Sequence, residues 1–193
     1  MQISNVNVYG LENAIRVSKF PMAVNLEDCT KEVTNTVKKL GASNIGAAHD
    51  NFLNGIVVQF DLRVSNKFLT EMQRYHFIDF ISSQSTMHRI TKFNLKEQCN
   101  KYVDGRITDV VQEMIDVYNG LEDKSTEFAK DLYLKILYNI PSGFELTAGF
   151  TTNYRQLKTI LIQRRNHRLP EWREFCEWVE TLPMFRELVL GGE

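Results

Sequence analysis

The chain has 193 residues, of which 43% are hydrophobic and 24% are charged, and its formal net charge at pH 7 is −1. This composition is typical of a globular protein with one hydrophobic core, and we expect a single domain over residues 1–193. The near-neutral charge argues against a broad nucleic-acid or membrane surface. Because the sequence shows neither a leader-like segment nor an apolar run of about 18 residues, we expect a cytoplasmic protein without a membrane span.

The first third of the chain predicts two strands separated by helices. Alternating apolar residues favour a strand over residues 3–8, and Pro21 ends the short helix that follows. A second helix is expected over residues 25–40, where Asn25 can supply the cap. Residues 55–64 alternate cleanly between apolar and polar side chains, which predicts a half-buried strand.

A helix and a polar loop are expected after the second strand. Ser65 can cap a helix whose apolar face extends to Phe77 and which carries Arg74 and His76. Residues 82–86 all have small hydroxyl or amide side chains, which favour a loop because they compete for backbone hydrogen bonds. This loop is either a plain connection or a contact for a phosphate or cofactor.

The second half of the chain predicts mostly helix. Apolar positions at steps of three and four indicate a helix over residues 107–118, and Ser125 can cap the next helix, which must end before Pro141. Another helix is expected over residues 151–168, and Pro170 suits the first turn of a last helix. The predicted fold class is α+β, with a small sheet packed against more helix than strand.

Arg164 stands out because it continues the apolar stripe of the predicted helix over residues 151–168. It follows Leu157 by seven residues, Ile160 by four and Leu161 by three, so all four share one helix face. An arginine in this position is most often a structural residue that is ion-paired or extends its charge to solvent. It can also reach an anion or a carbonyl oxygen of a ligand.

Several kinds of chemistry lack their sequence signals. There is no GxSxG nucleophile motif, no glycine-rich phosphate loop and no Cys/His cluster for a metal. Cys29, Cys99 and Cys176 are odd in number and far apart, so we expect reduced structural thiols. The remaining candidates are histidines, asparagines, serines and arginines, a set suited to binding a phosphorylated ring while a cofactor performs the reaction.

Four segments together resemble the flavin-dependent thymidylate synthases, from about Glu12 to Trp172. These segments are Ala14-Ile15-Arg16-Val17-Ser18, His49-Asp50-Asn51, the stretch from Arg74 to Arg89, and the C-terminal set of Pro141, Thr147, Thr152-Asn153-Tyr154-Arg155-Gln156-Leu157, Leu161, Arg164 and His167. The resemblance implies reductive methylation of dUMP to dTMP, with FAD as cofactor and with NADPH and methylenetetrahydrofolate as co-substrates. It also implies a homotetramer whose active sites are shared between subunits.

The resemblance assigns roles to particular residues. Its implied catalytic residues are Arg164 and Ser85. The implied flavin contacts are Ser18, His49, Asn51, His76, Asn153, His167 and Arg168. The implied nucleotide contacts are Arg74, Ser83, Gln84, Ser85, His88, Arg89 and Arg164. No metal is implied.

The stretch from Arg74 to Arg89 departs from the family at three positions. Tyr75, Phe77 and Met87 stand where the family motif has arginines. The alternative function is therefore a non-catalytic protein of the same fold that binds a nucleotide or flavin. Nucleic-acid binding through the basic helix is a weaker third hypothesis.

Overall fold

The computed structural model describes residues 1–192 of the chain. Within these residues, four strands form one sheet: β1 (Gln2–Tyr9), β2 (Val57–Ser65), β3 (Ile78–Ser83) and β4 (Glu145–Asn153). The same part of the chain forms ten α-helices: α1 (Leu11–Val17), α2 (Asn35–Gly41), α3 (Asn66–Met72), α4 (Thr86–Arg89), α5 (Leu95–Gln98), α6 (Gly105–Gly120), α7 (Glu127–Tyr138), α8 (Tyr154–Arg164), α9 (Pro170–Glu180) and α10 (Phe185–Val189).

The sheet has the strand order β1-β2-β4-β3, and every neighbouring pair is antiparallel. β2 and β4 pair along their whole length, from Val57 opposite Asn153 to Ser65 opposite Glu145. Because β2 and β3 both run antiparallel to β4, they are parallel to each other. Two parallel strands of one sheet need a crossover connection, and the segment that contains α3 makes this connection past β4.

One face of the sheet is buried and the other is partly open. Alternation along β2 and β4 places one set of side chains in the core: Val58, Phe60, Leu62, Val64, Leu146, Ala148, Phe150 and Thr152. The intervening residues are half-buried or exposed and mostly polar. This alternation is the expected pattern for an antiparallel sheet that is covered by helices on one side.

Two apolar clusters stabilise the fold. The larger one packs α1, α3, α8, α9 and α10 on the sheet and contains Trp172, Phe68 and Phe175, all fully buried. The smaller one lies between α6, α7 and the beginning of β4, around Ile115, Ile136 and other apolar residues. Burial of this kind supplies about 25 cal/mol per Å² of apolar surface.

The structure confirms the α+β class and several of the predicted elements. The strand predicted over residues 55–64 is β2, the helix over residues 107–118 lies within α6, and Pro170 occupies the first turn of α9. Ser65 does cap α3, since its hydroxyl accepts a hydrogen bond from the backbone N–H of Phe68 at 3.2 Å. No helix in the described part of the chain is long and apolar enough to cross a membrane.

The helix predicted over residues 25–40 was wrong. Asn25 caps only a 3₁₀ turn, Leu26–Asp28, and α2 begins ten residues later at Asn35, after its cap Thr34. The cap predicted for α7 was misplaced by one residue, because Thr126 rather than Ser125 caps that helix. Asparagine, serine and threonine all cap helices well, so the sequence alone could not choose between these caps.

The sequence analysis missed two strands, β3 and β4, and both lie at or beside candidate site residues. The helix predicted to reach Phe77 ends at Met72, and β3 follows, so Arg74 and His76 lie between α3 and β3. Residues 82 and 83 belong to β3 rather than to a loop. The helix predicted over residues 151–168 also begins later and ends earlier, because β4 continues to Asn153 and α8 ends at Arg164.

Replacing Gly41 with alanine tests the packing of α2 on α10. A Cβ at Gly41 would overlap with the carbonyl oxygen of Leu188, so Gly41→Ala should lower the free energy of unfolding by about 1–3 kcal/mol. Gly120→Ala is the matched control, because a Cβ there meets nothing and alanine favours helix by up to about 1 kcal/mol. Urea unfolding measures both changes, and equal stabilisation by the two variants would contradict this packing.

Candidate active site

Several of the predicted flavin contacts lie near the end of the sheet where β4 finishes. Asn153 is the last residue of β4, and its side-chain oxygen accepts a hydrogen bond from the N–H of Gln156 at 2.9 Å, which caps α8. His76 lies two residues before Ile78, the first residue of β3, which pairs with Thr152. The 3₁₀ turn that begins at Asn51 is tied to α8, since the N–H of Tyr154 donates to the carbonyl of Ile56 just after that turn.

The first turn of α8 also holds an unpaired polar group. The side-chain nitrogen of Gln156 is buried and has no hydrogen-bond partner within residues 1–192. Buried donors without partners are costly, typically about 1–3 kcal/mol each. This donor is therefore a candidate contact for a carbonyl oxygen of a ligand.

A buried ion cluster fixes the segment that carries His49 and Asn51. Asp50 lies between them and is fully buried; it accepts hydrogen bonds from Nε of Arg155 at 3.0 Å and from Nζ of Lys158 at 2.8 Å. Lys158 also donates to the carbonyl oxygen of Gly41 at 2.8 Å. Burial opposes ionisation of Asp50, but the hydrogen bonds and charges of Lys158 and Arg155 outweigh it and hold its pKa below the usual range.

Arg164 is enclosed by aromatic and acidic side chains at the end of α8. Its Nε donates to the hydroxyl of Tyr75 at 2.8 Å, and its Nη1 lies 3.7 Å from a carboxylate oxygen of Glu71. Its guanidinium carbon lies 5.0 Å from the ring centre of Trp172 and 5.7 Å from that of Tyr75. Cation–π contacts of this kind hold a guanidinium in a fixed orientation.

Glu71 is the common partner of this cluster. It accepts a hydrogen bond from the indole N–H of Trp172 at 3.1 Å, pairs with Lys67 at 3.3 Å, and lies 3.7 Å from Nε2 of His167. Burial opposes its ionisation, but the hydrogen bonds from Trp172 and Lys67 and the nearby charges outweigh this effect, so its pKa is lowered. Arg164 and His167 are therefore held together by one ionised carboxylate.

Five of the predicted nucleotide contacts, all within residues 83–89, lie at the other end of β3. Ser83 pairs with Ala148. The backbone N–H of Gln84 donates to the carbonyl oxygen of Thr147 at 3.0 Å, and the side-chain oxygen of Gln84 accepts from the N–H of Thr147, also at 3.0 Å. Ser85 caps α4 by accepting a hydrogen bond from the N–H of His88 at 3.3 Å. The side chains of His88 and Arg89 are exposed, like that of Arg74 at the opposite end of the strand.

The comparisons with known proteins agree with this architecture. No protein-family profile matches the chain, and no curated protein sequence matches it either. Among solved structures, the chain is similar to the flavin-dependent thymidylate synthase ThyX from Helicobacter pylori, crystallised with FAD and dUMP. The two share 14% sequence identity, the match covers 97% of this chain and 96% of that chain, and the TM-score is 0.72. A second crystal structure of the H. pylori enzyme with FAD and dUMP gives 14% identity, the same coverage and a TM-score of 0.71. The chain has the fold of the flavin-dependent thymidylate synthases.

Within this thymidylate synthase fold, a single chain places the predicted contacts in separate groups. Arg164 and His167 meet at Glu71, whereas Asn51, His76 and Asn153 lie around the end of β4. Residues 83–89 lie at or beyond the far end of β3, a strand of six residues that spans roughly 20 Å. The length of β3 therefore separates residues 83–89 from the group around the end of β4.

The remaining predicted flavin contacts are Ser18 and Arg168. Ser18 is buried, and its hydroxyl donates to the carbonyl oxygen of Ile15 at 2.7 Å. Arg168 lines a cleft beside the beginning of α9. Their contact with a flavin stays a prediction.

Sequence reasoning missed the residues that surround the candidates. Glu71, Trp172 and Lys158 look like ordinary helix residues in the sequence, because the partners of a buried charge come from distant parts of the chain.

The structure agrees with the prediction that the three cysteines are structural thiols. Cys29, Cys99 and Cys176 are free thiols, and burial raises the pKa of Cys99 and Cys176 to about 11, which disfavours a thiolate nucleophile at neutral pH.

Substitution of Asp50 tests the buried ion cluster. Asp50→Asn should lower the free energy of unfolding at neutral pH by about 3–5 kcal/mol, because it leaves the buried Lys158 without its counter-charge. The exposed Asp131, which has no ion pair in the described residues, provides the control, and Asp131→Asn should change stability by less than about 0.5 kcal/mol.

The pH dependence gives a second measurement of the same cluster. Because the folded-state pKa of Asp50 is lowered, its contribution is complete above the unfolded-state pKa of about 3.9 and is lost as the pH falls further. Urea unfolding should therefore show a difference between wild type and Asp50→Asn that shrinks only below about pH 4. A difference that is constant down to pH 2, a value well below the unfolded-state pKa, would contradict an ionised Asp50.

Proposed function

We propose that this protein binds FAD and dUMP and methylates dUMP to dTMP, with methylenetetrahydrofolate as carbon donor and NADPH as reductant. The observation that carries this proposal is the shared fold over 97% of the chain with an enzyme crystallised with FAD and dUMP. In this reaction the methylene carbon of the folate replaces the hydrogen at C5 of dUMP. The hydrogen at C5 leaves as a proton, a flavin held at this site would pass the hydride of NADPH to the transferred carbon, and with the net uptake of one proton the products are dTMP, tetrahydrofolate and NADP⁺.

The end of the sheet beside Asn153 fits the requirements of a flavin ring. The side-chain nitrogen of Asn153 has no hydrogen-bond partner within residues 1–192, and that of Gln156 is buried without one. Both are hydrogen-bond donors, and a flavin ring presents carbonyl oxygens and ring nitrogens that accept. His49, Asn51 and His76 are exposed at or beside the same region and can complete the contacts.

Arg164 is suited to stabilise negative charge on the pyrimidine. Tyr75 and Glu71 engage its Nε and Nη1, while Nη2 has no polar partner in the part of the chain that the structure describes. Stacking on Trp172 fixes the guanidinium plane before a ligand arrives. A preorganised cation of this kind stabilises charge that develops at a carbonyl oxygen.

Residues 83–89 supply the phosphate contacts in this proposal, from a second copy of the chain. Ser85 begins α4, and the exposed side chains of His88 and Arg89 follow it. Because this group lies at the opposite end of β3 from Tyr75, the partner of Arg164, one chain does not bring both groups to the same nucleotide in this proposal. We therefore propose a homotetramer whose sites form between copies. β3 is an edge strand, and the exposed apolar side chains of Phe77, Phe80 and Ile81 lie on or beside it, which supports such an interface.

The activity is tested with purified protein. It should bind FAD with flavin absorbance, and should release tritium from dUMP labelled at C5. Arg164→Lys should reduce this release at least about 100-fold, because lysine can neither reproduce the planar contacts with Trp172 and Tyr75 nor present the same donors. The adjacent and exposed Arg165, which lies 3.7 Å from Glu180, provides the control, and Arg165→Lys should keep most of the activity.

The outcomes of this experiment separate the two candidate functions. Protein that binds FAD and dUMP but never releases tritium would be the non-catalytic nucleotide-binding or flavin-binding protein. A protein that binds neither FAD nor dUMP would exclude both candidate functions. Loss of activity in Arg164→Lys and Arg165→Lys alike would remove the specific role of Arg164.

The assembly has its own test. Light scattering should give a mass about four times the 22.5 kDa of the chain. Ile81→Glu places a charge on the exposed edge strand and should reduce this mass, whereas Ile162→Glu, at an exposed position on α8, should not. A wild-type protein that is monomeric at the concentrations used for the activity assay would contradict shared sites.

A further inference from the structure

A cleft of about 810 Å³ lies beside the beginning of α9, away from the candidate contacts at the end of β4. Its walls come from the start of α3, the segment 100–103 after α5, the turn at Ser142 and Gly143, and residues 168–174. Only Arg168 among the candidate site residues lines it. Its volume is in the range of pockets that hold nucleotide-sized molecules.

The acidic groups of the cleft are already paired within the protein. Glu145 accepts a hydrogen bond from Arg63 at 3.1 Å, Glu171 accepts hydrogen bonds from the N–H and hydroxyl of Ser65 at 2.9 and 2.8 Å, and Glu174 lies 3.3 Å from the amino group of Met1. Glu145 and Glu174 are therefore paired with cations, whereas Glu171 is hydrogen-bonded by neutral groups and keeps its negative charge.

Three basic groups of the same cleft have no acidic partner. Lys101, Arg168 and Arg173 form no ion pair with any carboxylate in residues 1–192. Arg173 instead donates to the carbonyl oxygens of His167 and Arg168, at 2.6 and 3.1 Å, which holds this wall in place. On a convex surface such charges would simply be solvated. In a concave cleft, unpaired cations focus a positive potential that attracts anions.

The opposite wall is rigid and presents an aromatic ring. The N–H of Asn100 donates to the carbonyl of Gly143 at 2.9 Å, and the side chains of Val103 and Asn100 pack so closely on Gly143 that a Cβ there would collide with them. Tyr102 on this wall is 68% exposed, and Nζ of Lys101 lies 5.3 Å from its ring centre. A planar ring can therefore stack on Tyr102 while a phosphate group reaches the cations.

We propose that this cleft is a second ligand site that takes a phosphorylated, ring-bearing anion of the nucleoside diphosphate class. Lys101, Arg168 and Arg173 bind the phosphates, and Tyr102 contacts the base. The proposal does not depend on FAD binding or on thymidylate synthesis, because the residues that carry it, apart from Arg168, lie outside the proposed active site.

Calorimetric titration of the full chain with ADP, pyrophosphate and adenosine tests this site at low ionic strength. ADP and pyrophosphate should bind, and adenosine should not. Lys101→Glu should raise the Kd of ADP and of pyrophosphate at least about tenfold, because it reverses one of the three charges. Tyr102→Ala should raise the Kd of ADP about fivefold or more and leave that of pyrophosphate unchanged.

Lys39→Glu is the matched control. Lys39 is exposed on α2, outside the cleft, and its reversal changes the net charge by the same amount. Equal weakening by Lys39→Glu and Lys101→Glu would mean diffuse attraction and would overturn the site, as would undetectable binding of ADP to the wild type or an ADP Kd unaffected by Lys101→Glu. An ADP Kd unaffected by Tyr102→Ala would overturn the base contact. Flavin absorbance of the same samples reports the proposed function separately.

Discussion

The pairing of β2 with β4 determines where the other elements can lie. These strands are antiparallel over their full lengths, so Ser65 at the end of β2 and Asn153 at the end of β4 lie at opposite ends of the sheet. Each of these residues caps the helix that follows its strand, α3 or α8. A strand that continues directly into a capped helix leaves little freedom at the junction. The position of both helices on the buried face therefore follows from the register of one strand pair.

Three carboxylates then connect the helices across the core. Glu171 in the first turn of α9 binds the N–H and hydroxyl of Ser65, next to the positive end of α3. Glu71 joins the end of α3 to Arg164 and Trp172, and Asp50 joins its loop to the first turns of α8. Buried ion pairs add little net stability compared with apolar packing, but removing one partner is costly. Their effect here is to fix the relative positions of helices that apolar contacts alone would hold less specifically.

The sequence predicted an element well where one of its faces is clearly apolar. It predicted an element less well where a strand forms because it pairs with a neighbouring strand. β2 was predictable because its alternation is regular over nine residues. β3 was missed because it is an edge strand and because all its side chains except that of Ile78 are exposed. Its exposed serines therefore predicted a loop. β4 was missed because its apolar positions alternate with threonines and Gly149, and because the same residues precede a helix. The buried partners of Asp50 and Arg164 were not predictable, because those contacts join residues about 90 to 110 positions apart. The candidate site residues were named from short motifs, and their spatial grouping could only come from the fold.

Tyr75 is where the departure from the family motif has a structural consequence. It stands at a position where the resembling family has arginine, and here its hydroxyl accepts from Nε of Arg164 and donates to the side-chain oxygen of Gln163 at 3.0 Å. A second arginine at this position would repel Arg164 unless an anion lay between the two guanidinium groups. Tyrosine removes that repulsion and orients Arg164 without a ligand. Tyrosine therefore leaves Arg164 ordered beside Glu71 and Trp172 but supplies no positive charge itself. The arginines nearest to the motif in sequence are the exposed Arg74, one position before Tyr75, and Arg89, beyond β3.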